Sequence, residues 1–175
     1  MTVVVHSSGD RTLMAQIAIP QVPDLTEIGN ALGQWQSDDG AWTSVHWSAF
    51  RGTPYTADDA AKFIGRWETM STGPFSSRAR SLLGYDDSGR SVAAATVWSA
   101  GPARPGLLEP LAVHRDHHGR GFGKAMAIAA AKNLQQMGSS AASVAAESAN
   151  TGAVAAYAAA GFIPRAEVRD LRRPK

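Results

Sequence analysis

The stretch from Leu107 to Lys124 constrains the fold of this chain more than any other. It reads LLEPLAVHRDHHGRGFGK, so an apolar strand passes through a short charged turn into three closely spaced glycines. This pattern predicts a strand, a turn and a helix whose backbone N–H groups and positive dipole end converge on one anion. The spacing GxGxGK matches neither the dinucleotide fingerprint GxGxxG nor the P-loop GxxxxGK[ST]. The stretch therefore predicts a phosphate-binding turn of another type.

The segments downstream of the glycine turn alternate between helix and strand. Apolar residues recur at helical spacing from Phe122 onward, and Gly138 stands where that helix should end. Asn150 and Thr151 start a short alanine-rich helix that Gly161 ends. The strands predicted between and after these helices cover about 141–147 and 162–172.

Upstream of the turn the sequence predicts two helices and two pairs of strands. Thr56 caps the second helix, which carries Phe63, Trp67 and Met70 on one stripe. The segment 36–54 before it is rich in Ser, Gly and Asp, and its pattern assigns no element. The first helix is predicted over 24–35, an N-terminal hairpin over 2–5 and 12–19 around a Ser-Ser-Gly-Asp turn, and a second hairpin over 79–85 and 91–99.

The composition excludes several kinds of protein. With 175 residues the chain can form one sizeable core but not two ordinary ones, so a single domain over 1–175 is expected. The absence of cysteine excludes disulfides, a thiol nucleophile and a cysteine zinc site. Basic residues exceed acidic ones by only two, 17 against 15, which is no nucleic-acid signature. Without a leader pattern or a run of about 18 apolar residues, we expect a cytoplasmic protein that does not bind membranes.

The order of these elements resembles the acetyl-CoA-binding half of the GNAT superfamily of N-acetyltransferases, over roughly residues 78–172. In that family a strand ending in a hydrophobic triplet, here Leu111, Ala112 and Val113, leads into the pattern [RQ]xxGx[GA]. The chain departs from the pattern at its first position, where His118 replaces Arg or Gln. Backbone N–H donors in the turn do not depend on that side chain.

The resemblance implies an α/β (α+β) fold, with a mixed, mostly antiparallel central sheet flanked by helices on both faces. It places the acetyl-CoA-binding core at about 107–162 and implies acetyl-CoA as the acyl donor, with no metal. Carried over position by position, the donor-binding residues are Leu111, Ala112, Val113, His118, Gly119, Arg120, Gly121, Phe122, Gly123, Lys124 and Asn150.

The chemistry that the resemblance implies is direct transfer of an acetyl group to a primary amine of a small molecule or a peptide. Glu109 is the candidate base that deprotonates the amine, and its alternative role is to stabilise the sheet or position substrate. Tyr157 is the candidate acid that protonates the departing sulfur, and its alternative is a core tyrosine. The backbone N–H of Val113 is the candidate oxyanion donor. Asn150 either contacts the pantetheine or simply caps the next helix.

A histidine cluster and a C-terminal basic run are both explained without a metal or a nucleic-acid partner. The cluster of His114, His117 and His118 is read as part of the turn and not as a metal site. Arg165 and Arg169 belong to a C-terminal basic run that suits an acidic partner or a solvated edge strand. We expect the edge strand and no nucleic-acid partner.

The acceptor and the assembly state are less determined by the sequence. The N-terminal half is rich in aromatic residues, which form either an acceptor pocket or the core, and core is favoured; they are Trp35, Trp42, Trp47, Phe50 and Tyr55. Asp38 and Asp39 attract a cationic amine or form a solvated turn. Many relatives have one more strand after 162–172, so the N-terminal hairpin or a second subunit should cover that edge, and a homodimer is expected. The alternative function is an inactive acyl-CoA-binding regulatory or partner-binding module.

Overall fold

The computed structural model describes residues 6–18 and 39–172, which form one six-stranded sheet with helices on both faces. The strands are β1 His6–Ala18, β2 Ala79–Tyr85, β3 Ser91–Trp98, β4 Pro105–Val113, β5 Ala141–Glu147 and β6 Ile163–Arg172. The helices are α1 Asp39–Phe50, α2 Ala57–Ser71, α3 Phe122–Gln136 and α4 Thr151–Ala159. Short 3₁₀ turns at Ser76–Arg78 and Arg115–His117 precede β2 and α3.

The sheet has the strand order β2-β3-β4-β5-β1-β6 and is mostly antiparallel. Only β4 and β5 pair in parallel, and this pairing joins Pro105–Leu107 to Ala141–Ser143 alone. The predicted fold class, a mixed and mostly antiparallel sheet between helices, is therefore confirmed.

Alternating residues of the sheet face two separate cores. Ala93 and Ala95 of β3 pack under α3 and α4, whereas Ala94 between them packs under α1 and α2. Because successive strand residues point to opposite faces, these small side chains allow helices to approach the sheet closely from both sides. On the α3 side, Gly106 of β4 leaves the space that the Leu134 side chain fills.

Stacked aromatic rings hold α1 against α2 and the sheet. The ring of Trp42 lies 3.8 Å from that of Trp67 with an interplanar angle of 16°. The indole N–H of Trp42 also donates to the carbonyl of Ala95 at 3.3 Å. Trp42 is 3% exposed, so the core interpretation of this aromatic residue is confirmed.

Several predicted boundaries agree with the structure. Thr56 caps α2 by accepting a hydrogen bond from the Asp59 N–H at 3.2 Å. Gly138, at a φ of 79°, follows the end of α3 as predicted. Helix α1 is an element that the sequence analysis did not assign, because it falls in the segment 36–54.

The predicted N-terminal hairpin is wrong where the structure can test it. Residues 7–10, predicted as a turn, continue strand β1, with a register shift against β6 between Ser7 and Arg11. The predicted strand over 2–5 and helix over 24–35 lie outside the described residues. Strand β1 is inserted between β5 and β6, so an N-terminal strand, not a hairpin, gives β6 its partner.

His46 of α1 is a titratable group inside the aromatic layer. Its ring stacks 5.2 Å from Trp42 and lies 5.0 Å from Phe63. Within the described part of the chain, its buried Nδ1 atom has no hydrogen-bond partner. Burial, together with the positive charge of Arg51, lowers the pKa of His46 from 6.5 to about 4.

This lowered pKa predicts acid destabilisation that depends on His46. Between pH 6.5 and 4 the unfolded chain binds a proton at this histidine that the folded chain does not, so the free energy of unfolding falls as the pH is lowered. Urea denaturation across this range should show a smaller decline for His46→Phe, which keeps a ring and loses the titration. Parallel pH dependences for the two proteins would contradict this account.

Candidate active site

The separation of β4 from β5 opens a gap in the centre of the sheet. The two strands pair from Pro105 to Leu107 and no further, although β4 continues to Val113. The backbone groups of β4 that point toward β5 beyond Leu107 therefore have no strand partner among the described residues. Polar backbone groups without a partner are available to bind a ligand.

Hydrogen bonding to β3 shows which groups of β4 face the gap. The N–H of His114 donates to the carbonyl of Val92 at 2.8 Å. Bonded and non-bonded pairs alternate in an antiparallel ladder, so the next pair, Ala93 and Val113, is non-bonded. The N–H and C=O of Val113 consequently point away from β3 and into the gap. Leu111, two residues earlier and opposite Ala95, has the same orientation.

His118 lies at the mouth of this gap. Its Nε2 atom is 2.9 Å from the carbonyl oxygen of Val113. Because a carbonyl oxygen carries no hydrogen and can only accept, the ring nitrogen is the donor in this contact. The residue that replaces the Arg or Gln of the family pattern thus holds the last peptide of β4.

The glycine turn has the geometry of an anion cradle. Gly119 and Gly121 have φ angles of 73° and 85°, in the left-handed region that disfavours other residues. A Cβ atom at either position would meet no atom within 4 Å, so the space above the turn is open. Gly121 is also the N-cap of α3. The first N–H groups of that helix and its positive dipole end therefore face this space.

Gly123 differs from Gly119 and Gly121 in facing protein and not the open space above the turn. A Cβ atom at this position would lie 3.2 Å from the Cβ of Ala156 and 3.7 Å from the Val113 side chain. The space that a side chain would need here is therefore taken by protein, while the backbone N–H of Gly123 belongs to the first turn of α3. Gly123 therefore allows α3 to approach α4 and the end of β4 closely.

The charged side chains of the turn surround the cradle. Arg120 and Lys124 are exposed, and an Nη1 of Arg120 lies 3.1 Å from Nδ1 of His117. The Arg120 guanidinium is also 5.9 Å from the ring of Phe122. These contacts hold the Arg120 guanidinium next to the helix N-terminus, where its charge adds to the attraction for an anion.

Nothing in the described part of the chain groups three or more metal-ligating side chains. In the histidine cluster, the rings of His114 and His117 are 5.8 Å apart, and Nδ1 of His114 accepts a hydrogen bond from the Asp116 N–H at 3.3 Å. The N–H of Arg115 donates to the hydroxyl of Ser48, and its guanidinium donates to the Ser48 carbonyl, at 2.6 Å from Nη2. The cluster belongs to a turn that is tied to α1.

Glu109 lies at an irregularity of β4. Leu108 pairs with Val97 and Leu111 pairs with Ala95, so three residue steps on β4 oppose two on β3. This bulge, where the Glu109–Pro110 peptide is cis, interrupts the alternation that a regular strand would have. In a regular strand Glu109 would share a face with Leu111 and Val113, and the bulge removes that relation. The carboxylate is on an exposed residue, whose carbonyl accepts from the Trp98 indole at 2.9 Å.

Tyr157 of α4 is a buried phenol near this carboxylate. It is 8% exposed and lies 5.7 Å, ring to ring, from Phe162. Burial, and in addition the negative charge of Glu109, raise the pKa of Tyr157 to about 12. The structure therefore brings the two predicted catalytic side chains within electrostatic range of each other.

Asn150 has the local role that was the alternative to ligand binding. Its side-chain oxygen accepts a hydrogen bond from the Ala153 N–H at 3.1 Å, which caps α4. Leu111 is half-buried, whereas Ala112 is 2% exposed on the opposite, α1 and α2, side of the sheet. The Ala112 side chain therefore faces away from the gap, and its N–H and C=O point toward Ala94 of β3.

A cleft of about 350 Å³, here named the Tyr55 cleft, lies between the α1–α2 connection and the end of β4. Its floor includes His114, the residue after Val113, and the Tyr55 hydroxyl donates to Thr43 at 2.8 Å. The sequence analysis predicted Tyr55 and Trp47 as residues of a pocket or of the core. No sequence pattern predicted that Ser44 and Ser48 would line the cleft. The lining residues are Ser44, Trp47, Ser48, Gly52, Thr53, Pro54, Tyr55, His114 and Arg115.

Comparison with known families identifies the domain that carries this site. The model of the acetyltransferase (GNAT) family matches residues 41–162, which include the gap, the glycine turn and Tyr157. The chain belongs to the GNAT acetyltransferase family. No curated protein is similar enough in sequence to this GNAT protein to count as a match.

Solved structures share the fold of this GNAT protein. A tandem GNAT protein from the clavulanic acid biosynthesis pathway is 18% identical with a TM-score of 0.67, and 94% of this chain covers 54% of that one. A GCN5-related N-acetyltransferase from Sphaerobacter thermophilus is 20% identical with a TM-score of 0.65. The match covers 97% of this chain and 54% of that one. An aminoglycoside 6'-N-acetyltransferase from Acinetobacter baumannii is 13% identical with a TM-score of 0.52. The match covers 86% of this chain and 90% of that one.

The chain spans about half the length of the first two of these structures. At these identities the likeness shows the fold alone. Across residues 6–18 and 39–172, no helix is both long enough and apolar enough to cross a membrane.

The open space above the turn leads to a prediction for Gly121→Ala. The methyl group would enter the cradle, and the left-handed backbone adds a strain of ~1 kcal/mol. Calorimetric titration should therefore show affinity for CoA reduced about tenfold or more. Gly89→Ala is the matched control, because Gly89 also has a left-handed φ, 79°, with open space around it, but lies in the β2–β3 turn. Equal loss of CoA affinity in both variants would contradict the cradle.

Proposed function

We propose that the protein transfers the acetyl group of acetyl-CoA directly to a primary amine of a small molecule or a peptide. The observation that carries this proposal is the gap between β4 and β5, into which the N–H of Val113 points. The glycine turn adjoins the same end of β4. The end of β4 therefore presents a backbone N–H that can bind a thioester oxygen, next to a set of backbone N–H groups that can bind phosphates.

The residues present fit acetyl-CoA. The open turn at Gly119 and Gly121 and the first turn of α3 would hold the phosphates, with Arg120 and Lys124 adding positive charge. The free backbone groups of β4 would hold the pantetheine arm. When bound, acetyl-CoA supplies an activated acyl group whose sulfur can leave.

Glu109 is the group that we assign to accept the proton of the amine. An amine is nucleophilic only after it loses this proton, and the exposed carboxylate of Glu109 can take it directly or through a water molecule. Glu109 lies beyond Leu107, in the part of β4 that β5 no longer pairs with. The carboxylate therefore belongs to the strand that lines the gap.

Tyr157 is the group that we assign to protonate the departing sulfur. With a pKa raised to about 12, the phenol keeps its proton throughout the neutral range and can donate it. Part of this shift is due to the negative charge of Glu109. Once Glu109 accepts the amine proton, that charge is neutralised, and Tyr157 becomes a stronger acid as the sulfur departs.

Val113 supplies the backbone N–H that we assign to the oxyanion of the transition state. Its direction is fixed by the ladder with β3, and its carbonyl is held by His118 at 2.9 Å. A donor fixed in this way does not have to reorganise as charge develops, which is the source of its effect on the rate.

The role of Tyr157 predicts a loss of turnover in Tyr157→Phe. The ring and its packing on Phe162 remain while the proton donor is removed, so kcat should fall about 100-fold and affinity for CoA should change little. Steady-state CoA release and calorimetry measure the two quantities. Tyr85→Phe, in the other core, controls for loss of a phenol. An unchanged kcat in Tyr157→Phe would remove the acid role.

The role of Glu109 predicts a different signature in Glu109→Gln. The amide cannot accept the amine proton, so kcat/KM should fall about 100-fold at neutral pH. It should recover at high pH, where the amine itself loses its proton. Glu68→Gln, an exposed residue of α2, is the control. A near-normal rate and pH profile would contradict the assignment, and acetyl-CoA binding with no turnover on any amine would favour the inactive binding module.

A further inference from the structure

A second concave surface, here named the basic pocket, adjoins the Tyr55 cleft. It lies between the C-terminal part of α1 and the first turns of α2. Trp47 lines both the basic pocket and the Tyr55 cleft, so the two are neighbours at this residue. Its lining residues are Trp47, Arg51, Asp59, Lys62, Phe63 and Arg66.

The basic pocket carries an excess of positive charge. Three cations, Arg51, Lys62 and Arg66, line it together with one carboxylate, Asp59, for a net charge of +2. Asp59 already accepts a hydrogen bond from the Thr56 hydroxyl at 2.6 Å. No carboxylate of residues 11–18 or 40–169 lies within ion-pair distance of the three cations. Their charge is therefore available to a ligand.

Aromatic rings give this charged surface an apolar wall. Trp47 and Phe63 lie 6.2 Å apart, ring to ring, with an interplanar angle of 57°. The Arg51 guanidinium sits 5.7 Å from the centre of the Trp47 ring, which fixes it at the rim. A ligand with a flat or apolar body and an anionic end matches this combination of rings and cations.

The Tyr55 cleft lies between this pocket and the end of β4 that borders the gap. His114, at one end of the cleft, directly follows Val113, whose N–H faces the gap. Trp47, at the other end, is the wall of the basic pocket. The cleft contributes one further cation, Arg115, and no carboxylate. The residues that line the cleft between the gap and the pocket are thus positive or neutral.

We infer that the acceptor is an amine that also carries an anionic group, with its amine directed to the gap and its anion held by Lys62 and Arg66 in the basic pocket. This inference rests on the proposed function. Carboxylate and phosphate or phosphonate share the chemistry that the pocket recognises. A polycationic acceptor is disfavoured because like charges repel it from this surface.

Four benzylamines that differ only in the group opposite the amine test the inference. They are 4-methylbenzylamine, 4-(aminomethyl)benzoate, 4-(aminomethyl)phenylphosphonate and 1,4-bis(aminomethyl)benzene. The benzoate or the phosphonate should exceed the neutral compound in kcat/KM by about tenfold, mainly through KM. The dication should fall below the neutral compound. The ratio of the two anions shows whether carboxylate or phosphonate fits better.

Charge reversal locates the effect in the basic pocket. The double variant Lys62→Glu, Arg66→Glu should lose the preference for anions and favour the dication. The matched control is Arg165→Glu, Arg169→Glu, which makes the same change in net charge at two exposed residues of β6. A neutral or cationic preference in the wild type, or an unchanged order in the pocket variant, would overturn the inference and leave the proposed function intact.

A binding measurement without catalysis separates the two proposals. Titration with 4-methylbenzoate, which has no amine, should shift the Trp47 indole N–H resonance in NMR spectra, assigned with Trp47→Phe. The shift should be absent in the Lys62→Glu, Arg66→Glu variant. No shift in the wild type would overturn anion binding. A shift without acetylation of any amine would confirm the anion pocket but refute the proposed function, and with it the role of the anion in an acceptor.

Discussion

The separation of two neighbouring strands is the constraint on which the rest of this site depends. β4 and β5 share three residue pairs and then part, although β4 continues for six more residues. In a closed sheet the N–H of Val113 would be bonded to the next strand and could not bind a ligand. Here the neighbouring residues Ala112 and His114 pair with β3, and the N–H of Val113 between them points into the open gap.

Two cores pack on the sheet around this open region from opposite faces. Below the gap, the small side chains of α3 pack on the sheet, and Gly123 lets that helix approach α4 closely. Above it, Trp42 and Trp67 stack, and Arg115 ties the glycine turn to Ser48 of α1. The turn that would bind phosphate and the helices that form the Tyr55 cleft are therefore parts of one packed unit.

The sequence predicted best those features that short-range chemistry determines. The glycine turn and the Thr56 cap depend on a few adjacent residues, and both appear in the structure. Helix α1 was missed because its Ser- and Gly-containing sequence has weak helical periodicity, while the stacking of Trp42 on Trp67 stabilises it from a distance. Pairing between distant segments likewise determines the continuous course of β1 and the bulge at Glu109. The basic pocket depends on α1 and could not be foreseen without it.

The most direct test of the account is a crystal structure with acetyl-CoA bound. We expect the phosphates at Gly119, Gly121 and the first turn of α3, and the thioester carbonyl oxygen about 3 Å from the Val113 nitrogen. Phosphates bound elsewhere, or a thioester that does not enter the gap between β4 and β5, would contradict the central claim that this gap is the acyl-transfer site.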